Sequence, residues 1–359
     1  MPKKIWRGGM IGAGAWSEVQ LQAWAGVENA EIIALTDRHP ERRDRLLRRF
    51  AIKHAFDDIE TMLDEVELDF VDICVRPYSH AHLTQLAAGR GLPVLCQKPF
   101  CESLEEAREV VKFCEHASVR LMINENWRWQ AWYRKAKELM GYDAIGKPFL
   151  GKIFQRIRST LPNGFVDHPQ AYFAEMPRLA LYELGVHYLD TLRYLFGDPD
   201  TVFARLHRVS PYIQGEDVEL VVLGYDGLTC LIDNSWASVQ VPGIDIPEGA
   251  RHEELLSRLE IDGTEGTLAL KADGSLHLLT DKEHQQWRFS HQDTIPASHI
   301  AAQQHFIECL KTGAEFETSG VETLKTMVLV YAAYLSAEEG RVVKPCELLK
   351  EGNTYRRGL

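Results

Sequence analysis

The sequence predicts an α/β protein of two domains, on three observations. Over the first third of the chain, short apolar runs alternate with helical ones. The first apolar run is closed by a glycine pair, Gly12 and Gly14. After about residue 126 the alternation gives way to successive strand-like segments separated by Asp-Gly turns. Strands alternating with helices argue for a parallel sheet covered on both faces, because a parallel connection has to cross over. Strands joined by tight turns pair antiparallel. The expectation is a doubly wound domain over residues 1–126, then an α+β domain with a mostly antiparallel open sheet over 127–359. A length of 359 residues also exceeds what one hydrophobic core usually organises.

The elements are expected in this order. Trp6 to Ile11 is a buried strand, and Ser17 to Ala25 a helix. Glu31 to Thr36 is an apolar run closed by Asp37, and Pro40 to Phe50 is a helix with its proline in the first turn, where no N–H is needed. Phe70 to Val75 is the third strand, His80 to Ala88 a helix stopped by Gly89 and Gly91, and Val94 to Cys96 a fourth strand closed by Lys98-Pro99. Ser103 and Glu106 form a capping box at the head of a helix reaching Glu115, and Val119 to Ile123 is the fifth strand. Further on, a helix over Trp132 to Met140 leads into a strand near Lys152 to Arg158, and Leu179 to Phe196 is a helix. Strands follow at Val202–Val209, Val218–Tyr225, Thr229–Ser235, Leu256–Ile261, Thr267–Leu270 and Ser275–Leu279. Helices over Ser298 to Lys311 and Val321 to Ala337 close the chain.

Composition excludes several classes of function. Hydrophobic content of 45% and charged content of 26% are ordinary for a globular protein. No apolar run approaches the ~18 residues of a membrane span, so no membrane partner is expected. The N-terminus enters a strand pattern rather than a leader, which places the protein in the cytoplasm. A net charge of −12 would repel phosphate backbones, so no nucleic-acid partner is expected. The basic cluster from Arg38 to Arg49 carries Glu41 and Asp44 within it and reads as a solvated helix face. The seven cysteines form no CxxC pair and read as buried free thiols. The fourteen histidines show no HxxxH or HExxH spacing, so no metal site is expected.

Gly12-Ala13-Gly14-Ala15-Trp16-Ser17 ends the first strand and opens the first helix. A dinucleotide fingerprint has GxGxxG there: one glycine for the tight turn, one for close approach of a diphosphate, one for helix–strand packing. Ser17, also small, takes the third place. The helix N-terminus then supplies N–H groups and a positive dipole end to the diphosphate. Asp37, ending the second strand, stands where a carboxylate would accept hydrogen bonds from both ribose hydroxyls and repel a 2′-phosphate. NAD is therefore expected over NADP. Arg38 either stacks on adenine or pairs with a 2′-phosphate, which leaves NADP open. The N-terminal domain is read as a Rossmann dinucleotide-binding domain.

Lys98 follows the fourth strand, at the sheet edge where doubly wound folds bind ligands, and could stabilise a developing alkoxide. Glu183 and His187 are four apart on the expected helix, hence on one face. His187 is the side chain best suited to take a proton near neutral pH, and Glu183 can orient it or contact substrate. Asp190 pairs with Arg193 or supports His187.

These residues together resemble the Gfo/Idh/MocA oxidoreductases, the glucose–fructose oxidoreductase and inositol dehydrogenase family, along nearly the whole chain. Ile73 to His80 (ICVRPYSH) is similar to that family's strand, short loop and histidine. Gly91-Leu92-Pro93-Val94-Leu95-Cys96-Gln97-Lys98-Pro99 resembles its G-x-x-V-x-x-E-K-P motif, with Gln97 in place of Glu. Glu183-x-Gly185-x-His187-x-x-Asp190 resembles its D-x-G-x-H-x-x-D motif, with Glu183 in place of Asp. The resemblance implies oxidation of a sugar or polyol at a carbinol carbon, with hydride passing to nicotinamide. It implies Lys98 as catalytic lysine, His187 as proton acceptor and Glu183 in the aspartate position. It also implies Arg76 and His80 beside the cofactor, with capping as the other role for His80. Asn126 and Arg128 are candidate substrate-lining residues, and a homodimer or homotetramer through the C-terminal sheet is implied.

The run Asn124 to Gln130 (NENWRWQ) is rich in aromatic and polar groups. It is either a sugar-stacking pocket wall or a hinge packed with tryptophans. With the Arg76-Pro77 loop it resembles pentose-type and branched-sugar dehydrogenases, such as those for apiose. Arg158, Asn163, His168 and Tyr172 are further pocket candidates. The leading expectation is an NAD-dependent dehydrogenase of an aldose or cyclic polyol. The alternatives are internal redox and elimination on a glycoside with NAD as a bound prosthetic group, and a nucleotide-sensing binding protein.

Overall fold

The computed structural model describes residues 4–166, 168–238, 258–271, 273–290 and 294–349. The chain divides into two compact units: Met1–Asn126 with Pro296–Leu324, and Trp127–Ile295 with Lys325–Leu359.

In the first unit, β1 (Trp6–Ile11), α1 (Ala15–Trp24), β2 (Ala30–Thr36), α2 (Pro40–Phe50), β3 (His54–Phe56), α3 (Ile59–Glu65), β4 (Phe70–Ile73), α4 (His80–Gly89), β5 (Val94–Gln97), α5 (Leu104–His116) and β6 (Leu121–Asn124) follow one another. The six strands are all parallel, in the order β3-β2-β1-β4-β5-β6. This is the Rossmann order, and its direction reverses between β1 and β4. Every residue of β4, β5 and β6 is buried, as a sheet covered on both faces requires. The Ser103 hydroxyl accepts the Glu106 N–H at the head of α5, while the Glu106 carboxylate reaches back to the N–H of Glu102. The short elements β3 and α3 carry too few turns of pattern to show in the sequence.

The segment Pro296–Leu324, expected within the C-terminal domain, belongs to this first unit. It holds most of α8 (Ile295–Thr312) and the start of α9 (Gly320–Glu339). Beyond α8 it runs along the free edge of β6: Ile123 N–H donates to Thr318 O at 2.8 Å, and Thr318 Oγ1 donates to Ile123 O at 2.7 Å. Phe306 meets Phe70 edge-on at 5.5 Å. The Arg120 guanidinium donates to the carbonyls of Cys309 and Ala314.

The second unit is built on an eight-stranded sheet in the order β14-β13-β12-β11-β7-β10-β9-β8. Its strands are β7 (Pro148–Arg156), β8 (Thr201–His207), β9 (Val218–Tyr225), β10 (Leu228–Ser235), β11 (Arg258–Gly263), β12 (Gly266–Leu270), β13 (Ser275–Thr280) and β14 (His284–Arg288). Only β7 and β10 run parallel. Along β7 the residues Gly151, Ile153 and Gln155 are buried and alternate with half-buried Lys152, Phe154 and Arg156, so one face is covered and the other open. The helices are α6 (Ala131–Gly141), α7 (Val186–Phe196), the rest of α9, and α10 (Cys346–Leu349). The edge strand β14 is polar (HQQWR) and lacks the alternation by which a strand is recognised. Where one continuous helix is expected over 179–196, a π-helical turn at Leu181–Gly185 precedes α7.

Candidate active site

The glycine loop is built by steric necessity. Gly12 has φ +107°, and a Cβ there would stand 2.2 Å from the Cys74 carbonyl oxygen. Its N–H donates to Thr36 O at 2.8 Å, which ties the loop to the end of β2. Among the described residues beyond its chain neighbours and its own helix, nothing lies within 4 Å of where a Cβ on Gly14 would stand, so the space at the N-terminus of α1 is open. Ser17 fits the third position because it is fully buried and its hydroxyl donates to Cys74 O at 3.2 Å. Asp37 accepts the Ala13 N–H at 2.7 Å on one oxygen and the His39 N–H at 2.8 Å on the other. It is thus held against the loop with lone pairs to spare for a diol. Ala15 and Trp16 form the first turn of α1, and Arg38 is exposed beside Asp37.

Lys98 emerges directly from the carboxyl end of β5 and is half-buried. Its neighbour Gln97 is 4% exposed, and its side-chain nitrogen has no partner among the described residues. A donor so placed, with the open cradle over Gly14 and the fixed Asp37 carboxylate, fits a dinucleotide. NAD would be held by the Gly12–Gly14 loop and Asp37, with Lys98 and Gln97 at the adjoining strand end. Arg76 is exposed at the start of the short Pro77–Ser79 turn. His80 is fully buried instead: Nδ1 lies 3.0 Å from Pro99 O and 3.1 Å from Phe100 O, and Nε2 lies 3.1 Å from Val75 O. Burial holds its pKa below the ordinary histidine value, and the Lys98 charge adds to that against the pull of the three carbonyls. Through these carbonyls His80 clamps the Lys98-Pro99 loop from behind.

Asn126 is 3% exposed and belongs to a buried polar network that joins α1, β6 and α8. Its Nδ2 donates to Ser298 Oγ at 2.7 Å and lies 3.5 Å from His299 Nε2. The other His299 nitrogen lies 3.3 Å from Gln20 Nε2, while Asn124 and Gln303 both donate to Gln20 Oε1. The His299 ring meets Trp16 edge-on at 5.6 Å. Sequence reasoning missed Gln20, His299 and Gln303, because a polar residue on a helix face carries no sign that it is buried.

In the second unit Glu183 sits on the π-turn and His187 on the first turn of α7, 9% and 4% exposed. The π-turn has an identifiable cause. The buried Glu216 carboxylate accepts the N–H groups of Leu179 and Leu181 at 3.1 and 3.0 Å and the Tyr334 hydroxyl at 2.7 Å, capping the helix from outside. Burial raises its pKa against those three donors. Glu219 packs close behind Gly185, its carboxylate 2.6 Å from where a Cβ would stand. Glu219 is pushed up to about 8 by burial, with the Asn234 amide pulling the other way, so it is mostly neutral at pH 7. Such π-turns recur at functional sites.

Trp127, in a short turn just before α6, stacks on His187 with ring centroids 4.8 Å apart and 11° between planes. Next to it Arg128 makes a bidentate pair with Asp190, Nε to Oδ2 at 2.8 Å and Nη2 to Oδ1 at 2.7 Å, both side chains buried. Through this pair Arg128 fastens the turn onto α7. Asp190 takes Arg128 and the Thr326 hydroxyl, while Arg193 reaches Asp198 at 2.6 Å. Of the further pocket candidates, Tyr172 packs against and His168 rings with a buried cluster around Phe165, Phe173 and Trp236.

Among the described residues, no group of three His, Cys, Asp or Glu side chains could hold a metal ion, and no helix is long and apolar enough to cross a membrane.

A sheet with its switch point at a glycine loop, an acidic residue ending β2 and a lysine ending β5 define a dinucleotide-dependent oxidoreductase. The chain belongs to the Gfo/Idh/MocA family: residues 6–125 match the oxidoreductase family with NAD-binding Rossmann fold, and residues 133–269 match the GFO/IDH/MocA C-terminal domain. It is similar to the D-apiose dehydrogenase of Paraburkholderia graminis, 38% identical over 351 residues, covering 95% of this chain and 90% of the relative. It is 24% identical to the myo-inositol 2-dehydrogenase of Thermotoga maritima over 95% of this chain and 99% of that one. Among solved structures it matches an oxidoreductase from Agrobacterium radiobacter in complex with NAD+, L-tartaric acid and magnesium. That match has a TM-score of 0.87 and 35% identity, over 96% of this chain and 100% of the other.

Proposed function

We propose that the protein oxidises a carbinol of an aldose, with pentoses and branched sugars such as D-apiose as the first substrates to try. NAD, when bound, supplies the acceptor for the hydride. The observation that carries this reading is the carboxyl edge of the parallel sheet, where the Gly12–Gly14 loop, Asp37 and Lys98 stand at the ends of β1, β2 and β5. The 38% likeness to a D-apiose dehydrogenase supports the substrate class.

In this reading Lys98 donates a hydrogen bond to the substrate oxygen and stabilises negative charge as it develops. An imidazole nitrogen of His187 takes the hydroxyl proton, the C–H electron pair leaves as hydride, and a carbonyl forms. Glu183 orients the sugar or the imidazole. Asn126, fixed by Ser298, presents its remaining amide capacity to substrate. Arg128 and His80 serve as framework.

The open face of the second sheet carries Phe203, Val222, Leu231, Phe154 and Leu220, fringed by the Lys152–Glu260 and Arg156–Asp233 pairs. This supports self-association through the sheet as a homodimer or homotetramer. Six buried cysteines with no CxxC pair among them support a reducing, cytoplasmic setting.

The test is NADH absorbance with NAD or NADP and a panel of D-apiose, other pentoses, hexoses and inositols. Lys98→Ala should lower turnover by about 100-fold or more while leaving NAD affinity nearly unchanged. An undiminished rate in that variant would refute the assignment. Bound cofactor that never appears as free NADH would mean internal redox chemistry instead.

A further inference from the structure

We propose that Trp127 is a positioning residue for His187, its indole face fixing the imidazole plane and stabilising the protonated ring. The stack itself does not depend on the function proposed above; its catalytic consequence does.

The geometry has three parts. The rings are nearly parallel and stacked, 11° between planes with centroids 4.8 Å apart, within the range where a cation over an indole face is attracted to it. Both side chains are buried, so water competes little for the charge. The indole is held by a ring contact and through its neighbour in the chain. Tyr188 meets it edge-on at 5.3 Å, and Arg128, the next residue, is fastened to Asp190, three positions beyond His187 on α7. A flexible aromatic would follow the imidazole as it moves; this one is anchored to the same helix and sets where the imidazole stands. A base that becomes a buried cation when it takes a proton needs such a partner, since burial alone opposes the charge.

Among the described residues, the ionisable groups on elements packed around this helix include Tyr182 and Glu183 on the π-turn, Tyr188 beside the indole, Asp190 with Arg128, and Tyr133, Arg134, Lys135, Lys137 and Glu138 on α6. With them stand Tyr194 and Arg193 of α7 and Glu216 and Glu219 on the sheet side of the π-turn. The fluorinated series leaves all of these groups in place and alters the indole face alone.

The test replaces Trp127 site-specifically with mono-, di- and tetrafluorinated tryptophan, which weakens the π-face step by step at almost constant shape. The His187 ring is titrated by NMR in the full-length protein, its signal assigned by its loss in His187→Gln. The expected result is a stepwise fall in the His187 pKa, reaching about one unit at the tetrafluoro stage. Trp127→Phe should lie within the series. A pKa that stays constant across the fluorinated series would overturn the proposal. The pH dependence of kcat/KM, measured on the same proteins, separates the two readings. If its acid limb follows the NMR titration, His187 is the kinetic base. If the NMR pKa moves and the limb does not, the stack stands and the catalytic role of His187 falls.

Discussion

Replacing Asp72 by Asn should make the nucleotide unit more stable at alkaline pH by an amount that can be worked out from the structure. Asp72 lies within β4, fully buried; Oδ2 accepts the Trp24 indole N–H at 2.7 Å, and Oδ1 has no partner among the described residues. Burial pushes its carboxyl up to about 7, and the indole hydrogen bond only partly offsets this. In the unfolded chain the group titrates near 3.9. Between those values the native state holds a proton that the unfolded state has released, so stability falls as pH rises through the window. From pH 5 to pH 8 the loss is about 3 kcal/mol, roughly two pKa units at 1.36 kcal/mol each. Asp72→Asn keeps an acceptor for Trp24 and never ionises. Its stability relative to the parent should therefore improve by about 3 kcal/mol between pH 5 and pH 8. Hydrogen exchange at the amides of Phe70–Ile73 reads the opening of this sheet alone. A difference between parent and variant that is the same at both pH values would refute the assignment of a protonated buried Asp72.

Gly12→Ala would place a methyl group 2.2 Å from Cys74 O on a backbone with φ +107°. NAD affinity should fall by about 100-fold or more by calorimetry, because the loop has to move about an ångström away from its ligand geometry; binding within twofold of the parent would show that the loop is not the cradle. Asp190→Ala removes the bidentate partner of the buried Arg128 charge and should destabilise the second unit by about 3–5 kcal/mol in urea unfolding. The double variant Arg128→Met, Asp190→Leu should recover most of that, since two apolar side chains leave no charge unpaired.

What was legible in the sequence was what is local. The strand, glycine loop and helix from Trp6 onward are read correctly because each step is decided by neighbours: Gly12 by the turn, Ser17 by helix–strand packing, Asp37 by its place at the end of an apolar run. The motif around Glu183 and His187 could be read as helix, but not as a π-turn. The groups that make it one, Glu216 and Glu219, lie more than thirty positions away. Arg128 was a candidate lining residue on the family resemblance, and its bond to Asp190, 62 residues further on, could not be read from the run in which it stands. Trp127 stood in the run singled out for its aromatics, yet nothing in that run says which ring it covers. Periodicity finds α8 as a helix and cannot say which of two cores it joins.

That return of Pro296–Leu324 to the first unit has a consequence for how the protein is made. β6, the last strand of the parallel sheet, is finished early in synthesis. The backbone that pairs with it at Thr318 and Ser319 is translated about 200 residues later. At ~5–20 residues per second that interval is about 10–40 seconds. During it the nascent nucleotide domain has an exposed edge strand with free N–H and C=O groups, able to recruit a stray strand. Emergence of Thr318 and Ser319 from the ribosome, rather than synthesis of the glycine loop, is then the event that closes the cofactor domain. A fragment ending at Asn126 should expose this edge and self-associate.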